Sequence, residues 1–273
     1  MSGQEILFEK RGNVAIITFN KEPKLNALNA ANYFELAALM NRIAAMPEIH
    51  ITVITGKGRY FSAGADVTAP RKPADSSQPS AEVEYYLRGF VAQNIYLTHA
   101  FYTHPKILCI ALNGPAVGLS AAITGFADFV YAQPHSFLLT PFTSLGLVTE
   151  GNASIAFVQR LGIAKANEAL IQSKRISAEE LVQTGYVNKL FNFGRDESDK
   201  FLAAVLEEIK ERMGDHLNPD SMMKVKALIR APYKEKMDAQ GVAEVFGGME
   251  RFLAGIPQEQ FAKMASKQKR HKL

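Results

Sequence analysis

Apolar residues fall into two regimes along this chain. Up to about residue 195, short apolar runs alternate with stretches of helical spacing; beyond it, only helical spacing remains. Val14–Phe19 (VAIITF), residues 49–55 and Ile107–Leu112 (ILCIAL) are nearly unbroken runs, the pattern of strands covered on both faces. Phe129–Ala132 and residues 136–139 predict two further short strands, and residues 187–192 a last one. A helix is expected after a cap at Asn29 or Asn32, ending near Met46, with Phe34, Leu36, Ala37, Leu39, Met40 and Ile43 forming a broad apolar face. A second helix is expected over residues 83–102, with Leu87, Phe90, Val91, Thr98 and Phe101 on one face. Asn94 falls on that face too, and a buried amide must find partners. Residues 151–161 and 164–172 read as helices, and Ser177 with Glu180 as a capping box before the next. Residues 197–213, 219–230, 234–253 and 258–267 are helix candidates with no strand between them. The fold class is therefore α/β (α+β): repeated strand–strand–helix units, then an α-helical region.

Two turns stand out. In residues 106–126, KILCIALNGPAVGLSAAITGF, a buried strand, an Asn-Gly-Pro turn and a helix start are compressed into about a dozen residues. The first N–H groups of a helix have no partner within it and point outward at the positive end of its dipole. Gly118 allows close approach to that backbone. One such turn is equally an ordinary strand-to-helix connection. A second follows the next apolar run upstream: YFSAGADV at 60–67, where Ala63-Gly64-Ala65 is small and Asp66 is a candidate helix cap. Two turns that each aim one N–H at the same oxygen would form an oxyanion hole.

Composition narrows the choice of chemistry. At 273 residues, 47% hydrophobic and 21% charged, the chain has material for a sizeable core. A net charge of +4 favours an anionic ligand but is too small to argue for nucleic acid. The single cysteine, Cys109, lies in an apolar run and excludes an internal disulfide or a cysteine-based zinc cluster. The six histidines show no metal-ligand spacing; His99 and His104 read as surface or structural. No apolar stretch approaches the roughly 20 residues of a membrane span. The first residues, MSGQEILFEKRGN, carry no signal-peptide pattern. Residues 68–81, rich in Pro, Ser and charge, read as a mobile loop just after the 60–67 turn, either flanking a pocket there or a plain spacer.

FSAGAD at 61–66 together with NGPAVGLSAA at 113–122 resembles the crotonase (enoyl-CoA hydratase/isomerase) superfamily, and the resemblance extends from about residue 13 to 192. It implies a spiral of ββα units over residues 1–195 holding a coenzyme A and acyl pocket. It further implies an α-helical trimerisation region over 196–265, so a homotrimer or dimer of trimers, and a flexible basic tail at 266–273. GLVTEGNAS at 146–154 is similar to the Δ3,Δ2-enoyl-CoA isomerases of the fungal peroxisomal type. By that resemblance the oxyanion donors are the N–H groups of Ala65 and Leu119. The loop with Lys24, Ala27 and Leu28 would hold the adenine and phosphate end of coenzyme A, although Lys24 reads equally as a solvated lysine. Ala63, Gly64, Ala65, Asp66, Val67, Leu119 and Phe142 would complete substrate binding.

The acids then select the reaction. The two glutamates with which family hydratases handle water correspond to Ala122 and Phe142, neither of which carries a proton. A dienoyl-CoA isomerase keeps an acid at the position of Phe142. Glu150 remains, among apolar and small neighbours that disfavour its charged form. One carboxylate suffices for a 1,3-proton shift that moves a 3-enoyl thioester double bond into conjugation. Asn94 is expected to orient it, or to be a structural amide. No metal or redox cofactor is expected, because coenzyme A belongs to the substrate. The alternatives are a non-catalytic acyl-CoA-binding protein or a dienoyl-CoA isomerase, and neither nucleic acid nor a membrane span is expected. The end of the chain, His271-Lys272-Leu273, departs from Ser-Lys-Leu at its first position but keeps the basic residue and leucine. It predicts recognition by a peroxisomal import receptor and residence in the peroxisome matrix.

Overall fold

The central apolar run becomes β4 (Ile107–Leu112), all of whose residues are buried between neighbours on both sides. A computed structural model, which describes residues 4–66 and 79–269, places it within a six-stranded sheet. The strand order is β1 (Ile6–Arg11), β2 (Val14–Phe19), β3 (Ile51–Gly56), β4, β6 (Phe129–Ala132) and β9 (Lys189–Leu190). β1 runs antiparallel to β2, and every later pair is parallel. A parallel pair requires a long crossover, and here the crossovers carry the helices. β5 (Ala116–Val117), β7 (Phe137–Leu139) and β8 (Ile176–Ser177) form a second, three-stranded sheet.

The spiral follows from that connectivity. After β3, Ser62 bridges to Ala116 before the chain enters a helical segment. After β4 come β5 and α4 (Leu119–Ala122); after β6 come β7 and α5 (Ala153–Leu170). Each turn of chain thus adds a strand to the large sheet, a short strand or bridge to the small one, and a helix. α1 (Ala30–Ala44) and α3 (Ala92–Tyr102) pack on one side of the large sheet. α7 (Ser198–Met213) covers the other, where Phe201, Val205, Ile209 and Met213 meet Val53, Cys109 and Tyr131. The remaining elements are α2 (Pro79–Tyr86), α6 (Ala178–Gln183), α8 (Pro219–Arg230), α9 (Lys234–Leu253) and α10 (Ile256–Ala265). No helix among the described residues is long and apolar enough to cross a membrane.

Several local expectations change. β1 has no counterpart in the sequence reading: as an edge strand with an outward-facing EKR end, it lacks a continuous apolar run. Asn29 rather than Asn32 caps α1, while the Asn32 side chain closes the box from the third position. Phe34 is not part of the buried face; it is 60% exposed and stacks on Tyr96, also at the surface. The loop read over 68–81 is already helical from Pro79, and the rest of that call lies outside the described residues. α5 contains Gly162 in a non-helical conformation, which separates the two helices expected there. His104 is structural and deeply buried, its Nε2 2.8 Å from Thr52 Oγ1; burial pushes it down to about 3, so it stays neutral.

Candidate active site

The two glycine turns lie against each other. Val117 N–H donates to the Ser62 carbonyl at 2.9 Å, and Ser62 N–H to the Pro115 carbonyl at 3.2 Å. Gly64 has φ +87°, and a Cβ there would lie 2.8 Å from the Val117 carbonyl oxygen, so only glycine lets the turns approach this closely. Gly118, at φ +61° and ψ −135°, occupies a conformation open to glycine alone and starts α4. Behind the turns, Ser62 Oγ lies 2.8 Å from the Asn26 carbonyl and 2.9 Å from Ser120 Oγ. The Tyr33 hydroxyl reaches Ser120 Oγ at 3.1 Å.

This packing orients two N–H groups. Leu28 N–H donates to the Gly64 carbonyl and Asp66 N–H to the Leu28 carbonyl, each at 2.8 Å. In that parallel bridge the intervening Ala65 N–H turns away from Leu28. Leu119 N–H is the first of α4 and has no acceptor within the helix. Among the described residues neither N–H meets a backbone acceptor outside helices and strands. Both residues line a cavity of about 730 Å³.

Glu150 lines the same cavity. Asn94, almost fully buried on α3, donates from Nδ2 to Glu150 Oε2 at 3.2 Å. A π-helical segment, Leu87–Val91, immediately precedes α3 and lies on the cavity wall through Arg88, Gly89 and Phe90. Such a segment shifts the register of the residues that follow it and is frequent at functional sites. Thr98 holds the Asn94 carbonyl with its hydroxyl at 2.7 Å. Gly151, at φ +72°, follows Glu150; a Cβ there would come within 2.9 Å of both Ala122 Cβ and Leu119 Cδ1. The Glu150 turn is therefore packed directly on the helix that supplies the Leu119 N–H.

The structure gathers Leu28, Ala63, Gly64, Ala65, Asp66, Asn94, Leu119, Phe142 and Glu150 around one cavity. Lys24 and Ala27 stand outside its described walls. Lys24 Nζ pairs with Asp66 Oδ2 at 3.1 Å, and the buried Lys21 Nζ lies 3.9 Å from the same oxygen. Asp66 therefore serves as an ion-pair partner, and the helix it was expected to cap, like Val67, lies outside the described residues. Sequence reasoning missed the aromatic wall: Tyr85, Tyr86, Phe90, Phe252 and Phe261. Phe252 stacks on Tyr86 with centroids 5.2 Å apart and meets Phe90 edge-on at 5.1 Å. The C-terminal helices α9 and α10 thus close the cavity. No local signal in the sequence joins residue 252 to residue 86.

The family model described as enoyl-CoA hydratase/isomerase matches residues 9–245. A Delta(3,5)-Delta(2,4)-dienoyl-CoA isomerase of Pyricularia oryzae is 51% identical, with 97% of this chain and 98% of the relative covered. A 3,2-trans-enoyl-CoA isomerase of Saccharomyces cerevisiae is 32% identical, covering 99% and 97%. The crystal structure of an enoyl-CoA hydratase/isomerase from Pseudoalteromonas atlantica superposes with a TM-score of 0.83 at 27% identity, covering 99% of this chain and 100% of that one.

Proposed function

The chain belongs to the enoyl-CoA hydratase/isomerase family, and we propose that its reaction within that family is the Δ3,Δ2 shift of an enoyl-CoA thioester, in the degradation of unsaturated fatty acids. The observation that carries the reading is that Glu150, oriented by the Asn94 amide, lines the same cavity as Ala65 and Leu119, while Phe142, on the same wall, is not an acid. Asp66, the other carboxylate of the described wall, is engaged by Lys24 and Lys21.

In this reading the thioester oxygen sits between the N–H groups of Ala65 and Leu119. Glu150 takes a proton from C2 of the 3-enoyl thioester, and the C2–H electron pair forms the C1–C2 double bond of an enolate. The two N–H groups stabilise the oxygen's developing charge. The enolate then reforms the thioester carbonyl, the double bond settles between C2 and C3, and C4 takes the proton back from Glu150. One carboxyl serves both transfers because both positions lie on one face of a short allylic unit. Proton and electron pairs balance without a redox cofactor, and coenzyme A is part of the substrate.

A second reading is favoured by the 51% identity to a protein named as a dienoyl-CoA isomerase. There the proton would return at C6, two carbons further on. The discriminating experiment supplies 3-enoyl-CoA and 3,5-dienoyl-CoA to the purified protein and follows the ultraviolet absorbance of the two conjugated products. The proposal requires the higher kcat/KM with 3-enoyl-CoA. Turnover of the dienoyl substrate alone would establish the second reading, and binding without any spectral change would indicate an acyl-CoA-binding protein.

Water addition is expected to be absent. Ala122 is fully buried against the Gly151 turn, leaving no room for a carboxylate, and Phe142 carries no proton. Supplied with 2-enoyl-CoA, the protein is expected to release almost no 3-hydroxyacyl-CoA on chromatography; hydration as fast as isomerisation would refute the assignment. Asn94→Ala is expected to lower kcat more than it raises KM, because it releases Glu150 without touching the cavity's other walls. Steady-state kinetics check this, and an unchanged kcat would leave Asn94 a structural amide.

We further assign the chain to a homotrimer or dimer of trimers in the peroxisome matrix. Val225, Leu228 and Ile229 on α8 are exposed apolar residues, Leu228 at 75%, which supports burial against another copy. The address is supported by a relative in Mus musculus named enoyl-CoA delta isomerase 3, peroxisomal, 31% identical over 95% of this chain; the tail at 271–273 lies outside the described residues.

A further inference from the structure

We infer that Glu244, far along the chain on α9, is a positioning residue for Glu150, holding from behind the turn that aims the reactive carboxylate into the cavity. The inference rests on the reading of Glu150 given above.

The turn that carries Glu150 is conformationally demanding, and its own closing bond, from Ala153 N–H to the Glu150 carbonyl, is long at 3.4 Å. Gly151 and Asn152 both have positive φ, +72° and +54°. Asn152 occupies the N-cap position of α5, yet its side chain makes no capping bond. Its Nδ2 instead donates to the Met237 carbonyl on α9 at 2.9 Å. Ala153 N–H and Ile155 N–H find carbonyls within the turn, at Glu150 and Asn152, but Ser154 N–H needs an acceptor from elsewhere. Glu244 supplies it: Oε1 accepts from Ser154 N–H at 3.0 Å and from Ser154 Oγ at 2.5 Å. Gln240, one turn earlier on α9, donates to the same Ser154 Oγ at 3.0 Å. Gly241, between them, lets α9 approach; a Cβ there would lie 2.7 Å from Asn152 Oδ1.

One helix thus grips the residues just after Glu150 through a carbonyl, an amide, a carboxylate and a glycine gap. Glu244 is buried; Oε1 carries the Ser154 bonds, and Oε2 meets no donor in good hydrogen-bond geometry among the described residues, although the Asn152 N–H and the Thr149 side chain also act on the carboxyl. Such a group is expensive to bury, and burial raises its carboxyl above the ordinary range despite the opposing hydrogen bonds of Ser154, the Asn152 N–H and the Thr149 side chain. A small apolar residue would fill the space at lower cost but could not accept from Ser154. The same helix also carries Phe252 to the cavity wall. Contact of an acyl chain with α9 and the aim of Glu150 are therefore set by one rigid element.

The test compares Glu244→Met, which keeps volume but cannot accept well, with Glu244→Gln, which keeps an acceptor oxygen. Whichever substrate the wild type prefers is used. Glu244→Met is expected to lower kcat by about 10–100-fold with KM nearly unchanged, the size of effect that small misplacement of a catalytic group produces. Glu244→Gln is expected to recover most of that loss. Hydrogen exchange should show lost protection in the first turn of α5 in Glu244→Met and unchanged protection in α7. A folded Glu244→Met protein with wild-type kcat overturns the inference, as does a KM that rises by the same factor as kcat falls. Should Glu244→Met fail to fold, Ser154→Ala gives a milder version, with a smaller fall in kcat at constant KM; unchanged kcat there likewise overturns it. A wild type inactive on both substrates overturns the role of Glu150 first and takes this inference with it, a result distinct from an active wild type whose variants are unaffected.

Discussion

Glu150→Gln is expected to fold, to bind acyl-CoA as the wild type does, and to lose turnover by about 10²–10⁴-fold, the range supplied by a positioned acid or base. Glutamine keeps the shape of the side chain and an oxygen for the Asn94 amide, so the bond observed at 3.2 Å has a counterpart in the variant. The backbone donors at Ala65 and Leu119 are untouched, and with them the means of binding the thioester oxygen. Only the basic oxygen is lost. Thermal melting and calorimetric titration with a saturated acyl-CoA establish the first two expectations, and the absorbance assay the third. Asp66→Asn serves as the control, since it alters the other carboxylate of the cavity and its Lys24 pair without removing the proposed base. A folded Glu150→Gln protein that turns over at near the wild-type rate would sink the mechanism; if Asp66→Asn were then inactive, the base would be Asp66.

The parts of this site that sequence made legible are those where chemistry and local structure share a few contiguous residues. The run from Ile107 to Ala122 encodes strand, turn, glycine and helix start in one stretch, and all four form. Glu150 stands out in the sequence because, by the family resemblance, Ala122 and Phe142 occupy the places of the other acids, and the fold brings it to the cavity wall. What escaped depends on distance or register. Lys24 looks solvated until the fold brings Asp66 to 3.1 Å. Phe34 has the right spacing for the buried face of α1, but spacing fixes that stripe only to within a residue or so at its edge, and Phe34 falls outside it. The π segment at Leu87–Val91 leaves no mark in composition, because it differs from an α-helix in bonding rather than in preferred residues. Phe252, Phe261 and Glu244 lie more than 90 residues beyond Glu150 in sequence, and only packing of α9 and α10 makes them part of the site.

Stability has a comparable focus, and Asp128→Ala is expected to cost about 3–5 kcal/mol at neutral pH, the usual result of removing one partner from a buried ionic group. Asp128 sits just before β6, where its own N–H donates to the Leu108 carbonyl and its Oδ2 accepts from Leu108 N–H at 2.8 Å. Its two oxygens receive Lys226 Nζ at 2.7 Å and Arg230 at 2.9 Å, both from α8. Lys226 also donates to the Lys106 carbonyl, and Arg230 to the carbonyls of Phe126 and Ala127. Alanine would leave a buried ammonium facing a cavity and would loosen α8 from β4 at once. Burial by itself raises the Asp128 carboxyl, but Lys226, Arg230 and the Leu108 N–H outweigh it, so the group lies below the usual carboxylate range. With the folded value depressed, the unfolded chain binds more protons as pH falls toward the folded value, and stability declines there. The carboxylate's contribution is therefore complete at pH 7 and is lost as pH drops from about 4 through the depressed folded value. Chemical denaturation at fixed protein concentration, so that assembly does not shift the midpoint, checks both points. The wild type and Asp128→Ala should differ most near neutrality and converge in acid; equal midpoints at pH 7 would show that α8 is held by packing rather than by this carboxylate.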